Sequence, residues 1–194
     1  NMYIPNRGKL GILHACFELF DNGLDEVSIP NSVGHKLIAT FNEDTKEFTI
    51  EDDGRGIPQE KLYDVVTVLA ASGKFNNGEN SAYLASGGAF GHGLTVTWAL
   101  SSHFEAYSTR NGKTIGYIFD EDKDGLKEKK VEKKVDSKAH GTLMKMIINP
   151  KFIDTSEVTG KDIAERIEEK SYIFPNIDIE LKVTSKKGEK VYKY

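Results

Sequence analysis

Glu18, Asp21, Asn22 and Asp25 recur at i, i+3, i+4 and i+7. On a helix that spacing gathers them on one face. Oxygen donors so placed can hold Mg²⁺, which takes few protein ligands and keeps several waters. A carboxylate beside them can orient and deprotonate an attacking water. The same seam equally suits a solvated helix face, and spacing does not choose between the two. Gly23 interrupts the seam, at a cost of about 1 kcal/mol relative to alanine. Something therefore approaches the helix closely at that point. Asn22 is itself a mediocre helix former.

A second carboxylate stands out by its direction. In Glu47-Phe48-Thr49-Ile50-Glu51-Asp52 side chains alternate between faces. Phe48 and Ile50 mark the core side, so Asp52 points inward with them. An unpaired charge there is costly, and two readings stand: a strand end emerging into solvent, or an acceptor for the exocyclic amine of a purine. Asp53-Gly54-Arg55-Gly56-Ile57-Pro58 follows, with two glycines that let the backbone turn sharply and approach a ligand.

The third element is Gly87-Gly88-Ala89-Phe90-Gly91-His92-Gly93, running into Leu94 and an apolar helix. Glycine-rich backbone ahead of a helix start presents free N–H groups, a ready phosphate cradle. It matches neither the P-loop nor the dinucleotide fingerprint. Lys74 upstream can reach a phosphate as a point charge or remain a surface lysine. His92 has no nucleophile and orienting carboxylate to work with, and reads as a phosphate-side contact or as filler. His14, His35, His103 and His140 show no metal-ligand spacing. Cys16 belongs to an apolar stripe and reads as core.

These groups need a scaffold. Residues 9–27 form a helix, with Leu13, Cys16, Phe17, Phe20 and Leu24 at helical spacing. Residues 36–41 and 47–52 form a strand pair, 59–71 a second helix, and 93–100 a short one. Residues 103–108 and 113–120 make a hairpin turning at Asn111-Gly112. Residues 141–148 are a strand, 161–172 a third long helix, and 177–184 with 190–194 a closing hairpin. The mixture predicts an α+β two-layer sandwich, a mainly antiparallel sheet with helices on one face. All 194 residues fit one domain.

No apolar run approaches the ~20 residues of a helical membrane span. A single cysteine excludes an internal disulfide and suits a reducing compartment. Net charge is −4, whereas a duplex-binding surface shows a basic excess. The one basic cluster, Lys127 to Lys134, is interrupted by acids and reads as a solvated strand or loop. Direct DNA contact by this domain is not expected.

Taken in order, Glu18 to Glu26, Asp52 to Pro58, the glycine loop and His140-Gly141-Thr142 resemble the Bergerat ATP-binding (GHKL) fold. Gyrase, ninety-kilodalton heat-shock chaperones, sensor histidine kinases and MutL share it. The resemblance is strongest to the B subunits of DNA gyrase and topoisomerase IV. Met2-Tyr3-Ile4 resembles their entry to the first helix. The segment Leu69-Ala70-Ala71-Ser72-Gly73-Lys74-Phe75 resembles their lid, and Tyr83-Leu84-Ala85-Ser86-Gly87-Gly88 their approach to the phosphates.

The resemblance implies ATP and Mg²⁺ as cofactors and assigns roles by position. Glu18 would be the general base at the γ-phosphate, and Asn22 the Mg²⁺ ligand. Asp52 would bind the adenine amine, assisted by Thr142 through water. Gly56 and Ile57 would line the base pocket with Ile50, Val65 and Met144. Lys74 and the backbone at Gly88, Gly91, His92, Gly93 and Leu94 would hold the phosphates. Arg55 would pair with Glu26 at the pocket mouth. Aminocoumarin inhibitors would meet Arg110 together with Asp52, Arg55 and Thr142. The chain departs from the family pattern at Ala89, Phe90 and His92, where leucine, histidine and valine are usual. It departs also at Ser72 for glycine and Trp98 for asparagine.

The expectation is an ATPase domain of a cytoplasmic type II topoisomerase, without its transducer and DNA-cleavage domains. Its partners would be a second copy, in an ATP-dependent dimer, and the DNA-cleaving A-type subunit, with DNA held by other domains. A sensor kinase catalytic domain and a non-hydrolysing ATP-gated clamp are the rivals, and Glu18 argues against both.

Overall fold

The computed structural model describes residues 8–68 and 93–194. Its frame is an eight-stranded sheet. The strands are β1 (Lys36–Asn42), β2 (Glu47–Asp52), β3 (Ser101–Arg110) and β4 (Lys113–Asp122), then β5 (Gly125–Lys134), β6 (Gly141–Ile148), β7 (Asp178–Ser185) and β8 (Gly188–Lys193). Their spatial order is β5-β4-β3-β6-β2-β1-β7-β8. Only β1 and β7 pair in parallel among these. Helices α1 (Lys9–Ser28), α2 (Leu62–Thr67), α3 (Gly93–Ala99) and α4 (Gly160–Ser171) cover one face. The expected two-layer sandwich is what the chain forms, with its sheet open.

Alternation decides which side of the sheet is covered. Leu37, Ala39 and Phe41 of β1, Phe48 and Ile50 of β2, and Met144 and Met146 of β6 are buried under the helices. Helix α1 lies over this centre, and its buried surface is wider than the expected stripe. Ile12, Ala15, Leu19 and Val27 are enclosed as well. The reason is a second cover: Arg166 and Lys170 of α4 reach over the Phe17 ring, and Lys170 pairs with Asp21 at 2.7 Å. Asp21 therefore leaves the acidic seam for a helix–helix ion pair.

Gly23 is explained by the sheet itself. A Cβ there would stand 2.6 Å from Leu37 Cδ1 and 3.1 Å from Ile50 Cγ2. The glycine lets α1 settle onto β1 and β2, with Asp52 Cβ next in line at 3.9 Å. Helix α4 is set by a capping box between Thr159 and Asp162. Lys9, at the start of α1, pairs with the same Asp162 at 2.6 Å.

Two expectations change. Helix α2 spans Leu62–Thr67 rather than 59–71: residues before it form a turn closed by Lys61 N–H on the Pro58 carbonyl at 2.9 Å, and Val68 is already extended. The β-branched run Val65-Val66-Thr67-Val68 is poor helix material. Residues 69–71 lie outside the described part. Lys127 to Lys134, open between strand and loop in the sequence, belongs to β5, paired along β4 and exposed throughout except for the half-buried Val131.

Candidate functional site

Strand β2 ends on Asp52, whose carboxylate is turned to the helix side and is only 7% exposed. Oδ1 accepts the N–H of Gly54 at 2.9 Å and, across the ladder, that of Thr142 at 3.3 Å. Oδ2 takes no hydrogen bond from the described residues. Burial pushes the carboxyl up to about 7. The Gly54 and Thr142 bonds pull it back in part, and the charges of Glu26 and Asp53 raise it again. No cationic side chain among the described residues pairs with it. A buried acid with an unmet oxygen is built to receive a donor.

The turn after Asp52 is shaped by what surrounds it. A Cβ on Gly54 would fall 2.3 Å from Glu26 Cγ and 2.9 Å from Asp52 Oδ1, so only glycine passes between these two acids. Glu26, buried on α1, then fixes the next residue. Its Oε1 accepts the Arg55 backbone N–H at 2.8 Å and Nε–H at 2.9 Å, while Oε2 accepts Nη2–H at 3.0 Å. This forked pairing anchors the turn to the helix. Gly56 has φ of 74°, and a side chain there would meet the Thr109 carbonyl at 2.7 Å and Arg110 Cγ at 2.9 Å. Three groups then hold the turn from the far side. Ser108 Oγ–H donates to the Ile57 carbonyl at 2.5 Å, and His140 Nδ1–H to the Gly54 carbonyl at 2.9 Å. Gln59 Nε2 donates to the carbonyls of Ser108 and Lys113 at 3.1 and 2.8 Å.

Along α1 the second part of the site begins. From Gly23, which touches the Asp52 strand, to Glu18 is five residues, roughly 7.5 Å of helix. Glu18 lies against the start of α3: a Cβ on Gly93 would stand 1.7 Å from Glu18 Oε2. Burial raises its carboxyl, opposed by the His14 charge and assisted by that of Asp21. His14 Nε2 is 3.3 Å from Glu18 Oε1. Between the two acids, Asn22 donates its amide N–H to the Glu18 carbonyl at 2.6 Å. The amide oxygen is left as an acceptor on the half-buried face. A hard cation could use it only together with oxygens from a guest and from water, since no cluster of three His, Cys, Asp or Glu side chains occurs among the described residues.

The structure brings most of the sequence-derived residues together. Ile50 stands opposite Met144, and Asp52 opposite Thr142, in adjacent strands. Ile57 is buried beside them in the same core, and Leu94 of α3 is buried too. Val65 is half-buried on α2 and packs on the core. Lys74, Gly88, Gly91 and His92 lie outside the described residues, as do Met2, Ser72 and Phe90. Trp98 fills core space, edge-on to Phe119 at 5.5 Å. Ser108, Gln59 and the His140 ring nitrogen are positioning groups that sequence reasoning missed. Ser108 carried a signal: in Phe104, Ala106, Ser108 it is a polar group on the core side of a strand, as Asp52 is.

Comparison with known proteins identifies the family. A family described as histidine kinase-, DNA gyrase B-, and HSP90-like ATPase matches residues 8–139. The chain is 30% identical over 186 residues to the B subunit of DNA topoisomerase 4 of Mycoplasma genitalium, covering 92% of this chain and 28% of that one. It is 31% identical to the B subunit of a type 2 topoisomerase of Aquifex aeolicus, covering 93% and 23%. It is 30% identical to the B subunit of DNA gyrase of Thermotoga maritima, covering 100% and 30%. The chain thus spans less than a third of these relatives.

Proposed function

The chain belongs to the histidine kinase-, DNA gyrase B- and HSP90-like ATPases, and from that premise we propose that it binds and hydrolyses Mg-ATP as the ATPase domain of a type II topoisomerase B subunit. The observation that carries the reading is the Asp52 carboxylate, buried and with Oδ2 unmet among the described residues. Oδ2 accepts the amino group of adenine, and Ile50, Ile57 and Met144 supply apolar walls for the ring. The Thr142 N–H holds Oδ1 and so fixes the carboxylate plane. Glu26 and Arg55 keep the turn closed at the pocket mouth.

At the other end Glu18 accepts a proton from the water that attacks the terminal phosphate. Partial burial, which raises its carboxyl, makes it a better base than a solvated glutamate. Asn22 Oδ1 would be the protein ligand of Mg²⁺, which supplies charge neutralisation at the phosphates. Gly93 and Leu94 begin the helix whose N–H groups face the anion, and Lys74, Gly88, Gly91 and His92 are assigned to the same task. In the whole enzyme the domain would close against a second copy and work with the DNA-cleaving A subunit in the cytoplasm. DNA would be held by other domains.

Calorimetric titration with a non-hydrolysable Mg-ATP analogue tests the reading, with the guanine analogue as its counterpart. Guanine sets a carbonyl where adenine has its amine, so ATP should bind at least tenfold more tightly. Equal binding of the two overturns the assignment of Asp52. For the chemistry, Glu18→Gln should keep nucleotide affinity and lower ADP release by about 10²–10⁴. An unchanged rate removes Glu18 from its role.

A further inference from the structure

The face of the sheet away from the helices carries a cavity of about 380 Å³, at the end of the strands where Gly141 and Thr142 lie. That volume falls within the range of about 300–1,000 Å³ typical of small-molecule sites. Its floor is one cross-strand row, Leu143, Tyr107, Gly116 and Val131. Gly116 makes the floor possible. A Cβ there would meet Tyr107 Cδ1 at 2.1 Å, so the ring occupies the place of the absent side chain. The Tyr107 hydroxyl is tied down by a 2.6 Å bond to Glu105 Oε2.

The next row, one step toward the hairpin turn, is polar. Thr109, Thr114 and Lys133 stand in register on β3, β4 and β5. The two threonine hydroxyls are 2.7 Å apart. Whichever donates, the other keeps its hydrogen for a guest. Lys133 has no carboxylate partner among the described residues, and its side chain borders the cavity. At the opposite end of the floor stands Glu51, which repels an anion placed there. The cavity is therefore apolar beneath, donor-rich along one side and acidic at the far end.

We propose that this outer-face cavity binds a small planar aromatic carboxylate. Its ring lies on Tyr107, Leu143 and Val131, and its acid group faces Lys133 and the threonine pair. Asp52 and Thr142 also border this cavity at its edge, but the ring and acid contacts lie on the outer face, whereas the Asp52 carboxylate, buried, points to the helix side of the same sheet. One strut joins them: His140 borders this cavity and holds the Gly54 carbonyl at 2.9 Å, and Gly54 in turn donates to Asp52.

The test is a titration of 2-naphthoate into the nucleotide-free chain, followed by NMR of backbone amides and methyl groups. Saturable shifts are expected at Tyr107, Thr109, Thr114, Val131 and Leu143, with a sub-millimolar dissociation constant. The neutral analogue 2-naphthylmethanol should bind about tenfold more weakly, and Lys133→Glu should weaken naphthoate by at least as much. Lys127→Glu lies on the same exposed strand beyond the cavity and should leave binding unchanged. Absence of saturation at millimolar ligand overturns the proposal. So do shifts centred on α1, equal affinity of acid and alcohol, or equal losses in both lysine variants. Because no nucleotide is present, each result is independent of the reading of Asp52.

Discussion

Asp52, buried, and Glu105, half-buried, are acids on two faces of one sheet, and the protein treats them in opposite ways. Glu105 is also drawn upward by burial, but the Tyr107 hydroxyl, the His103 ring and the Lys145 charge outweigh this and hold its carboxyl below the usual range. His103 stands 2.7 Å from Oε1 and Tyr107 donates to Oε2 at 2.6 Å, so both oxygens are spent. Asp52 has two backbone N–H groups on one oxygen and, among the described residues, neither a donor on the other nor a cationic partner. A carboxylate saturated by its own chain ties strands together. One left partly unmet in a buried place is a receptor.

Replacing each acid in turn gives the widest separation. Asp52→Ala should weaken Mg-ATP-analogue binding by about 100-fold or more, since it removes a buried charged acceptor. Glu105→Ala should leave it within about twofold. Similar losses in calorimetry would erase the distinction between the two sites. A smaller effect follows from protonation. A proton on Asp52 replaces an acceptor with a donor, so nucleotide affinity should fall as pH drops through about 7. Well below that value the slope approaches about tenfold per unit. Glu105→Ala should leave this profile in place, and a profile flat through 7 would mean that Asp52 is already ionised.

Stability should sharpen the same contrast. The unfolded chain releases the Asp52 proton near 3.8, while the folded chain keeps it to about 7. Folding stability from this group therefore declines as pH rises between those values. Asp52→Asn abolishes the decline and should be more stable than the parent above pH 7, by about 1–3 kcal/mol in urea unfolding, while binding nucleotide poorly. The outer network loses stability in the same direction but for the opposite reason, because there it is the charged form that the fold favours. Burial lowers His103, but Asp120 and Glu105 outweigh it and raise its pKa. Its contribution is present below about 6.5 and is lost as pH rises through the raised value. Being partly exposed, it is worth only about 0.5 kcal/mol, measured as the loss in His103→Ala at pH 6.

Much of this was legible because periodicity records burial. The stripe Leu13, Cys16, Phe17, Phe20, Leu24 and the alternation Phe48, Ile50, Asp52 mark out α1, β2 and the inward acid from residue order alone. Contacts between distant parts of the chain left no such record. Ser108 on Ile57 and His140 on Gly54 join residues 51 and 86 apart, and no local pattern announces them. Strand β5 was ambiguous because its alternation is of charge sign, Lys127, Glu128, Lys129, rather than of polarity. Gly23 signalled a close approach, but not that the neighbour would be Leu37 and Ile50.

Asp52 is completed by one partner two residues away and another ninety residues away, while β1 beside it must wait for β7 to pair along its other edge. On a ribosome, β1 and β2 emerge long before either Thr142 or β7 is available. Non-local pairing of this kind is slow to form. The receptor therefore cannot be assembled piecemeal, and its ligand, having nothing to hold in a half-made chain, stabilises only the finished one. Occupancy is in effect a readout of a completed domain.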